Sequence, residues 1–451
     1  MYVLLAPGGV GAFGSLLFGH AGQTIPTGGR RLEPFRHDVR GTNVARMSHR
    51  PTGSRVVATV IATFLLVLST GVVAGPALAD QPPPTGTPNW SGLDVRDYSG
   101  PIPARAGTLI ESTPLAPALS IPGAGSATRI LYSTIDQHNS AAVSTGAVFL
   151  PQGTAPRGGW PVLAWAHGTV GIGDDCTPSA QPRAQRDSDY LSHWLRRGYA
   201  IVASDYAGLG TPGLMSYLNG VAEARSIVDS VKALRGLRVP TAMRWAIVGQ
   251  SQGAGAAMNA ARLATSLTRG TGLDYRGVVA TGTPANIETV LQFGGPTFPP
   301  FALPTGLTTY TTYILAAIRE ARPDLRVDDI LTARGRAAAD KAEILCYPEL
   351  RQALTGADIR TFFAKPVSSI PNAYDELHRF IGTPASGYDR PIFLGQGLTD
   401  VDVPAPSALS LAAQLTANRQ PVELHVYPTD HSGTVYASVK DSTPFLARIL
   451  R

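Results

Sequence analysis

The stretch WAIVGQSQGAGAAMNAARLA, Trp245 to Ala264, constrains this chain's fold more than any other. Apolar Ala246, Ile247 and Val248 run straight into Gly249-Gln250-Ser251-Gln252-Gly253, and small helix-forming residues follow. A strand that turns at once into a helix holds the turn serine in a strained conformation. Glycines two residues to either side let strand and helix approach without a Cβ clash. That context is what a nucleophile elbow requires. The five-residue pattern alone is weak, because glycine supplies 48 of 451 residues and G-x-S-x-G then arises by chance in roughly a third of such chains. A plain strand-to-helix turn with a structural serine is the alternative.

The surroundings favour the elbow. Apolar runs at 141–151, 160–168, 199–206, 275–282, 391–397 and 421–428 read as strands. Between them, Val221, Ala224, Ile227, Val228, Val231 and Leu234 fall at helical spacing, as do the apolar positions of 406–418. Buried strands alternating with amphipathic helices predict an α/β fold, a mainly parallel sheet covered by helices on both faces. The alternation stops between 284 and 388, where helices are expected at 310–321, 338–345 and 373–381 and no core strand is evident. A helical segment inserted between two sheet strands reads as a cap. The predicted division is a core of 106–283 and 389–451, a cap or lid insertion of 284–388, and a Pro/Gly-rich lead-in at 80–105.

The charged fraction, 16%, with 44% hydrophobic residues, suits a packed globular enzyme and excludes a disordered chain. The net charge of +6 is scattered and does not interleave with aromatics, so no nucleic-acid partner is expected. Met47 opens a second beginning: basic His49, Arg50 and Arg55, the apolar run Val56–Gly75, then Ala77-Leu78-Ala79 before Asp80. This pattern predicts a signal peptide at 47–79 and export from the cell; an uncleaved anchor is the alternative. Residues 1–46 then read as an upstream extension from a start placed too early. Cys176 and Cys346 are the only cysteines, and an even pair in an exported chain suggests a disulfide.

A nucleophilic serine needs a base, and the base needs an acid that fixes its tautomer. In the elbow fold these follow the serine in the order acid, then histidine. Three histidines lie downstream. His378 falls in the expected cap and His425 inside a strand, whereas His431 follows that strand in YPTDHSGT, where such sites assemble. His431 is therefore the candidate base. The acid is expected after PIFLGQG, where Asp400 and Asp402 both qualify; Asp430 is too close in sequence to turn back onto the ring. Oxyanion donors are expected at the backbone N–H of Gln252 and in AWAHGTVG, at Gly168 and Thr169, with the His167 side chain structural. Asp205 and Tyr206 read equally as site wall or as loop structure.

The stretches AWAHGTVGIGDDCTPS, YAIVASDYAGLGTPG, VGQSQGAG, PIFLGQGLTDVDVP and YPTDHSGT, in this order, resemble the secretory lipase family across roughly residues 100–450. The resemblance implies an α/β-hydrolase fold with a helical cap and acyl-ester hydrolysis. It carries Ser251 over as nucleophile and His431 as base. It favours Asp400, in the G-x-x-D-x-x-V-P pattern, over Asp402, and implies that Cys176 pairs with Cys346. A lipid ester is the expected substrate, met at a lipid–water interface, with no cofactor, no metal and no stable protein partner. The rivals are a short-chain esterase or peptidase on the same fold and a non-catalytic lipid-binding surface protein.

Overall fold

Residues 86–451 are described by a computed structural model. The upstream extension at 1–46, the signal peptide read at 47–79 and the first residues of the lead-in lie outside the described residues. Nine strands form one sheet: β1 (Leu109–Pro114), β2 (Ala124–Ile135), β3 (Ala141–Pro151), β4 (Trp160–Ala166), β5 (Ala200–Ser204), β6 (Thr241–Gln250), β7 (Asp274–Thr281), β8 (Ile392–Gly397) and β9 (Val422–Tyr427). Their spatial order is β1-β2-β3-β5-β4-β6-β7-β8-β9. From β5 to β9 every pairing is parallel; β1, β2 and β3 join as an antiparallel flank.

Side chains alternate across a strand, so one strand feeds two cores. Val162 and Ala164 of β4, with Trp245 and Ile247 of β6, face α2 (Gly220–Leu234) and α3 (Gln252–Leu267). Their neighbours Leu163, Trp165, Ala246 and Val248 face α1 (Gln185–Leu195) and the C-terminal helix. Burial on both faces explains why these strands read as unbroken apolar runs. Asn219 caps α2, its side chain accepting from the Ala222 N–H.

β1, β2 and α1 had no counterpart in the sequence reading. In β2 the apolar pattern is interrupted by Arg129, which is fully buried and pairs with the equally buried Asp205. A charge whose partner lies far along the chain looks like a surface residue in sequence. The Pro/Gly-rich lead-in forms no helix or strand from residue 86 to 105. It is nevertheless not free of the core, since Leu93 and Val95 are buried against Leu131 and Val143.

Between β7 and β8, which are neighbours in the sheet, the chain leaves the α/β pattern. It builds α4 (Thr305–Ala321), α5 (Ala333–Ala342), α6 (Tyr347–Ala353) and α7 (Ala373–Ile381), with a single turn at Glu288–Leu291 and short 3-10 segments. α4 begins five residues before the expected 310. α5 lies earlier than the expected 338–345 because Thr332 caps it, accepting from the Gly335 N–H. α6 carries a proline in its first turn, which hid it. Cys346, at the start of α6, is bonded to Cys176 in the loop after β4, so the insertion is covalently tied to the sheet. The chain closes with α8 (Ala405–Ala417) and α9 (His431–Ile449).

Candidate active site

Ser251 sits between β6 and α3 with φ 58° and ψ −125°, a backbone conformation that costs an L-residue strain. The elbow glycines hold that turn. A Cβ on Gly249 would meet the Gly253 carbonyl oxygen at 2.1 Å, and one on Gly253 would meet the Ala166 carbonyl oxygen at 2.0 Å. The turn is also fastened sideways: the Ser251 N–H donates to the Thr281 carbonyl of β7 at 2.9 Å.

His431 is the first residue of α9, not a loop residue as its sequence suggested. Asp430 caps that helix, its side chain accepting from the Gly433 N–H at 2.8 Å, which occupies it away from the ring. Nδ1 of His431 lies 2.6 Å from Oδ2 of Asp400. The aspartate lies within the loop after β8 and is 2% exposed. Its other oxygen accepts the backbone N–H groups of Asp402 and Val403 at 2.9 and 2.8 Å, and the Gln396 amide lies 3.3 Å from Oδ2. The carboxylate is thus fixed before it meets the imidazole. Burial alone would push the His431 pKa down. The Asp400 charge and hydrogen bond, helped by Asp402, outweigh it and hold the pKa above the ordinary histidine value.

With Nδ1–H committed to Asp400, Nε2 of the neutral ring carries the lone pair. Gln250 donates to it from its side-chain amide at 2.9 Å. Gln250 is 1% exposed, and its Oε1 has no hydrogen-bond partner. Among the described residues no hydrogen bond joins Ser251 Oγ to His431. The sequence reading did not single out Gln250. The position next to the elbow serine was the signal available, but that a strand-end amide reaches a ring 181 residues away is a tertiary fact.

The loop after β4 presses on the serine. A Cβ at Gly168 would lie 2.8 Å from Gln250 Oε1, 3.2 Å from the Gln250 carbonyl oxygen and 3.4 Å from Ser251 Cβ, so a side chain there would crowd the elbow. Thr169 is held by its hydroxyl, 2.6 Å from Tyr217 Oη. Gln252 opens α3, so its N–H is one of the first-turn donors without an intrahelical partner. The Gln252 side chain donates to Glu223 Oε1 at 2.7 Å. Burial pushes the Glu223 carboxyl up to about 8, against the Gln252 and Leu218 hydrogen bonds that favour its ionised form.

The His167 ring stacks on Tyr206 at 4.3 Å, while Tyr206 donates to the His167 carbonyl. Asp205 accepts from Thr145 and from the Ser179 backbone. Neither Asp205 nor Tyr206 lines the cavity at Ser251, so both are loop structure. His378 contacts Glu288 and His425 stacks on Phe393. Asp402 accepts from Tyr310 of α4 at 3.0 Å, linking the acid loop to the insertion.

Ser251 and Gln252 stand in the wall of a large apolar cavity between the sheet and the insertion, with about 1670 Å³ of empty space including its mouth. Phe298, Phe301, Leu303, Ile314 and Leu315 line it. Two other apolar residues of the insertion do not: Tyr313 is buried against Tyr217, and Phe293 is 41% exposed.

The sequence profile of the secretory lipases matches residues 179–362, spanning the elbow and most of the insertion. Over that stretch the chain is similar to the secretory lipases, and its fold is that of the α/β-hydrolases. The match makes it a carboxylic ester hydrolase. The fold is shared with solved structures. A ligand-bound form of LipA, the rice cell wall degrading esterase of Xanthomonas oryzae, is 18% identical at a TM-score of 0.62, covering 77% of this chain and 99% of that one. Candida antarctica lipase A in its closed state is 19% identical at a TM-score of 0.61, covering 78% and 86%. A putative hydrolase of Legionella pneumophila is 18% identical at a TM-score of 0.62, covering 75% and 98%. At such identities the likeness establishes the fold and nothing finer. No curated protein matches the sequence.

Proposed function

We propose that the chain is an exported lipase that cleaves carboxylic esters of lipids through Ser251, His431 and Asp400. The observation that carries this reading is the meeting of two features at one residue. Ser251 occupies a strained elbow beside the Asp400–His431 pair, and it also stands in the wall of a cavity whose lining is overwhelmingly apolar.

In this mechanism Ser251 Oγ attacks the acyl carbonyl carbon while Nε2 of His431 takes the hydroxyl proton. The Gln250 amide must release Nε2 for that step. Catalytic hydrogen bonds are often incomplete before substrate arrives, so the missing serine–histidine bond is compatible with the role. Asp400 stabilises the imidazolium. The N–H groups of Gln252 and of Gly168 or Thr169 face the developing oxyanion. Collapse breaks the ester C–O bond, and His431 returns its proton to the leaving alcohol. Water, activated by the same histidine, then attacks the acyl-enzyme and frees the acid. The acyl chain lies in the cavity roofed by residues 284–388, where each buried methylene contributes about 0.8 kcal/mol.

The test is covalent labelling by a fluorophosphonate, with Ser251→Ala as control. Wild type is expected to label and to hydrolyse lipid esters. Ser251→Ala is expected to lose labelling and about 10⁴-fold or more of turnover while keeping its fold. A folded Ser251→Ala protein with near-normal activity would remove Ser251 from the mechanism. A wild type that prefers acetate and ignores emulsified triacylglycerol would leave a short-chain esterase in place of a lipase.

A further inference from the structure

The cavity has a direction. On α4 its lining residues are Leu307, Tyr310, Thr311, Ile314, Leu315 and Ile318, one apolar-rich face of the helix, and Arg322, the residue just past its end, continues that line. The Tyr310 end lies at the chemistry, because Tyr310 donates to Asp402, two residues from the acid, and Gly306 packs on the same carboxylate. Arg322 lies at the opposite end of that face, with Leu325, Val327 and Ile330 of the following turns also lining the cavity. From Tyr310 to Arg322 the helix advances about 18 Å.

Both ends are polar, and between them Ile314, Leu315 and Ile318 are not. At the far end Arg322 Nη1 pairs with Glu376 Oε2 of α7 at 2.5 Å, and both side chains border the cavity. Asp324 holds the rest of the guanidinium through two contacts, at 2.8 and 2.7 Å, and Arg379 holds the other Glu376 oxygen. Arg322 is 33% exposed, so it faces solvent on one side and the apolar cavity on the other.

We infer that the Arg322–Glu376 pair is the end stop of the acyl tunnel and sets the longest acyl chain the lipase accepts. The inference rests on the reading that the acyl chain lies in this cavity. The pair joins the end of α4 to α7 in the cavity wall, and a methylene pushed against it would strip water from two charges with nothing in return. An extended chain advances about 1.2 Å per bond, by analogy with a polypeptide's ~3.6 Å over three bonds. The distance from Tyr310 to the pair then takes about fifteen bonds, an acyl group of roughly sixteen carbons.

The experiment compares kcat/KM for esters of eight-, sixteen- and twenty-two-carbon acids presented in the same detergent micelles. In wild type the value should fall by about tenfold from sixteen to twenty-two carbons, the usual consequence of overfilling a packed site. Removing both charges together, Arg322→Ala with Glu376→Ala, should raise the twenty-two to sixteen ratio about tenfold by opening the far end. Ile318→Trp, one helical turn nearer the serine, should instead lower the sixteen to eight ratio about tenfold. A wild type with no fall beyond sixteen carbons overturns the end stop, and so does a folded double variant with an unmoved ratio. If the double variant does not fold, the Ile318→Trp ratio decides: unchanged, it overturns the inference. Failure of folded wild type to cleave even the eight-carbon ester would instead overturn the lipid-ester reading on which the end stop rests.

Discussion

The C-terminal end of β6, which carries Ser251, and the helical insertion above it obey different physical rules. At the elbow almost nothing can move: Gly249 and Gly253 touch opposing backbone, Ser251 is held at positive φ, and Asp400 is fixed by two backbone N–H groups before it reaches His431. In the insertion the cavity wall is a redundant set of aliphatic and phenyl groups, any one of which can be replaced by another of similar volume. Chemistry that depends on sub-ångström placement sits on the rigid elements, and binding that depends on buried area sits on the adaptable ones.

That contrast is broken most directly at the two aspartates. Asp400→Asn should lower kcat by about 10⁴-fold, because the amide cannot hold the tautomer that Nδ1 requires. Asp402→Asn should change it by about threefold or less, since an amide oxygen can still accept from Tyr310. Steady-state kinetics on a short soluble ester reads both, and the reverse ranking would move the acid role to Asp402.

The disulfide is where the two regions are joined. It closes a loop with a sequence separation of 170, which in the chain-entropy picture contributes up to about 5 kcal/mol. Replacing both cysteines by serine should lower the urea midpoint accordingly. Thiol titration of the denatured, unreduced protein should find none free, and two titratable thiols would remove the tie.

A smaller effect is expected within the insertion. Phe301→Ser should flatten the chain-length profile, lowering the ratio of sixteen- to two-carbon ester hydrolysis several-fold. A uniform fall at all lengths would show that the insertion also shapes the rigid site.

A pH-dependent effect tests Glu223, buried on α2 under Gln252. Its folded pKa is raised, so the folded state holds a proton that the unfolded state has released. That contribution to stability is complete below the unfolded value near 4.5 and is lost as pH rises to about 8. Glu223→Gln should therefore gain Tm over wild type progressively across that interval. A constant gap would mean that Glu223 does not titrate there.

Much of the frame was legible because local pattern and global fold agree. Strands buried on both faces must be continuously apolar, and an elbow that crowds two backbones must place glycine at 249 and 253. β1, β2 and α1 were not legible. Arg129 in β2 is buried only because Asp205 meets it, and no local spacing announces such a partner.

The sequence by itself determined the doubly covered sheet, the turn that strains Ser251, the break in pattern at the insertion, and a short roster of acids and histidines. Periodicity and glycine placement are properties of neighbouring residues, and the chain states them directly. Only the tertiary structure decided which aspartate reaches His431, that Gln250 occupies the ring's other nitrogen, that Asp205 and Tyr206 serve the loops, and that Arg322 meets Glu376 at the far end of the cavity. Each of these joins groups far apart in sequence, and such a contact exists only once the packing of whole elements has fixed the distance between them.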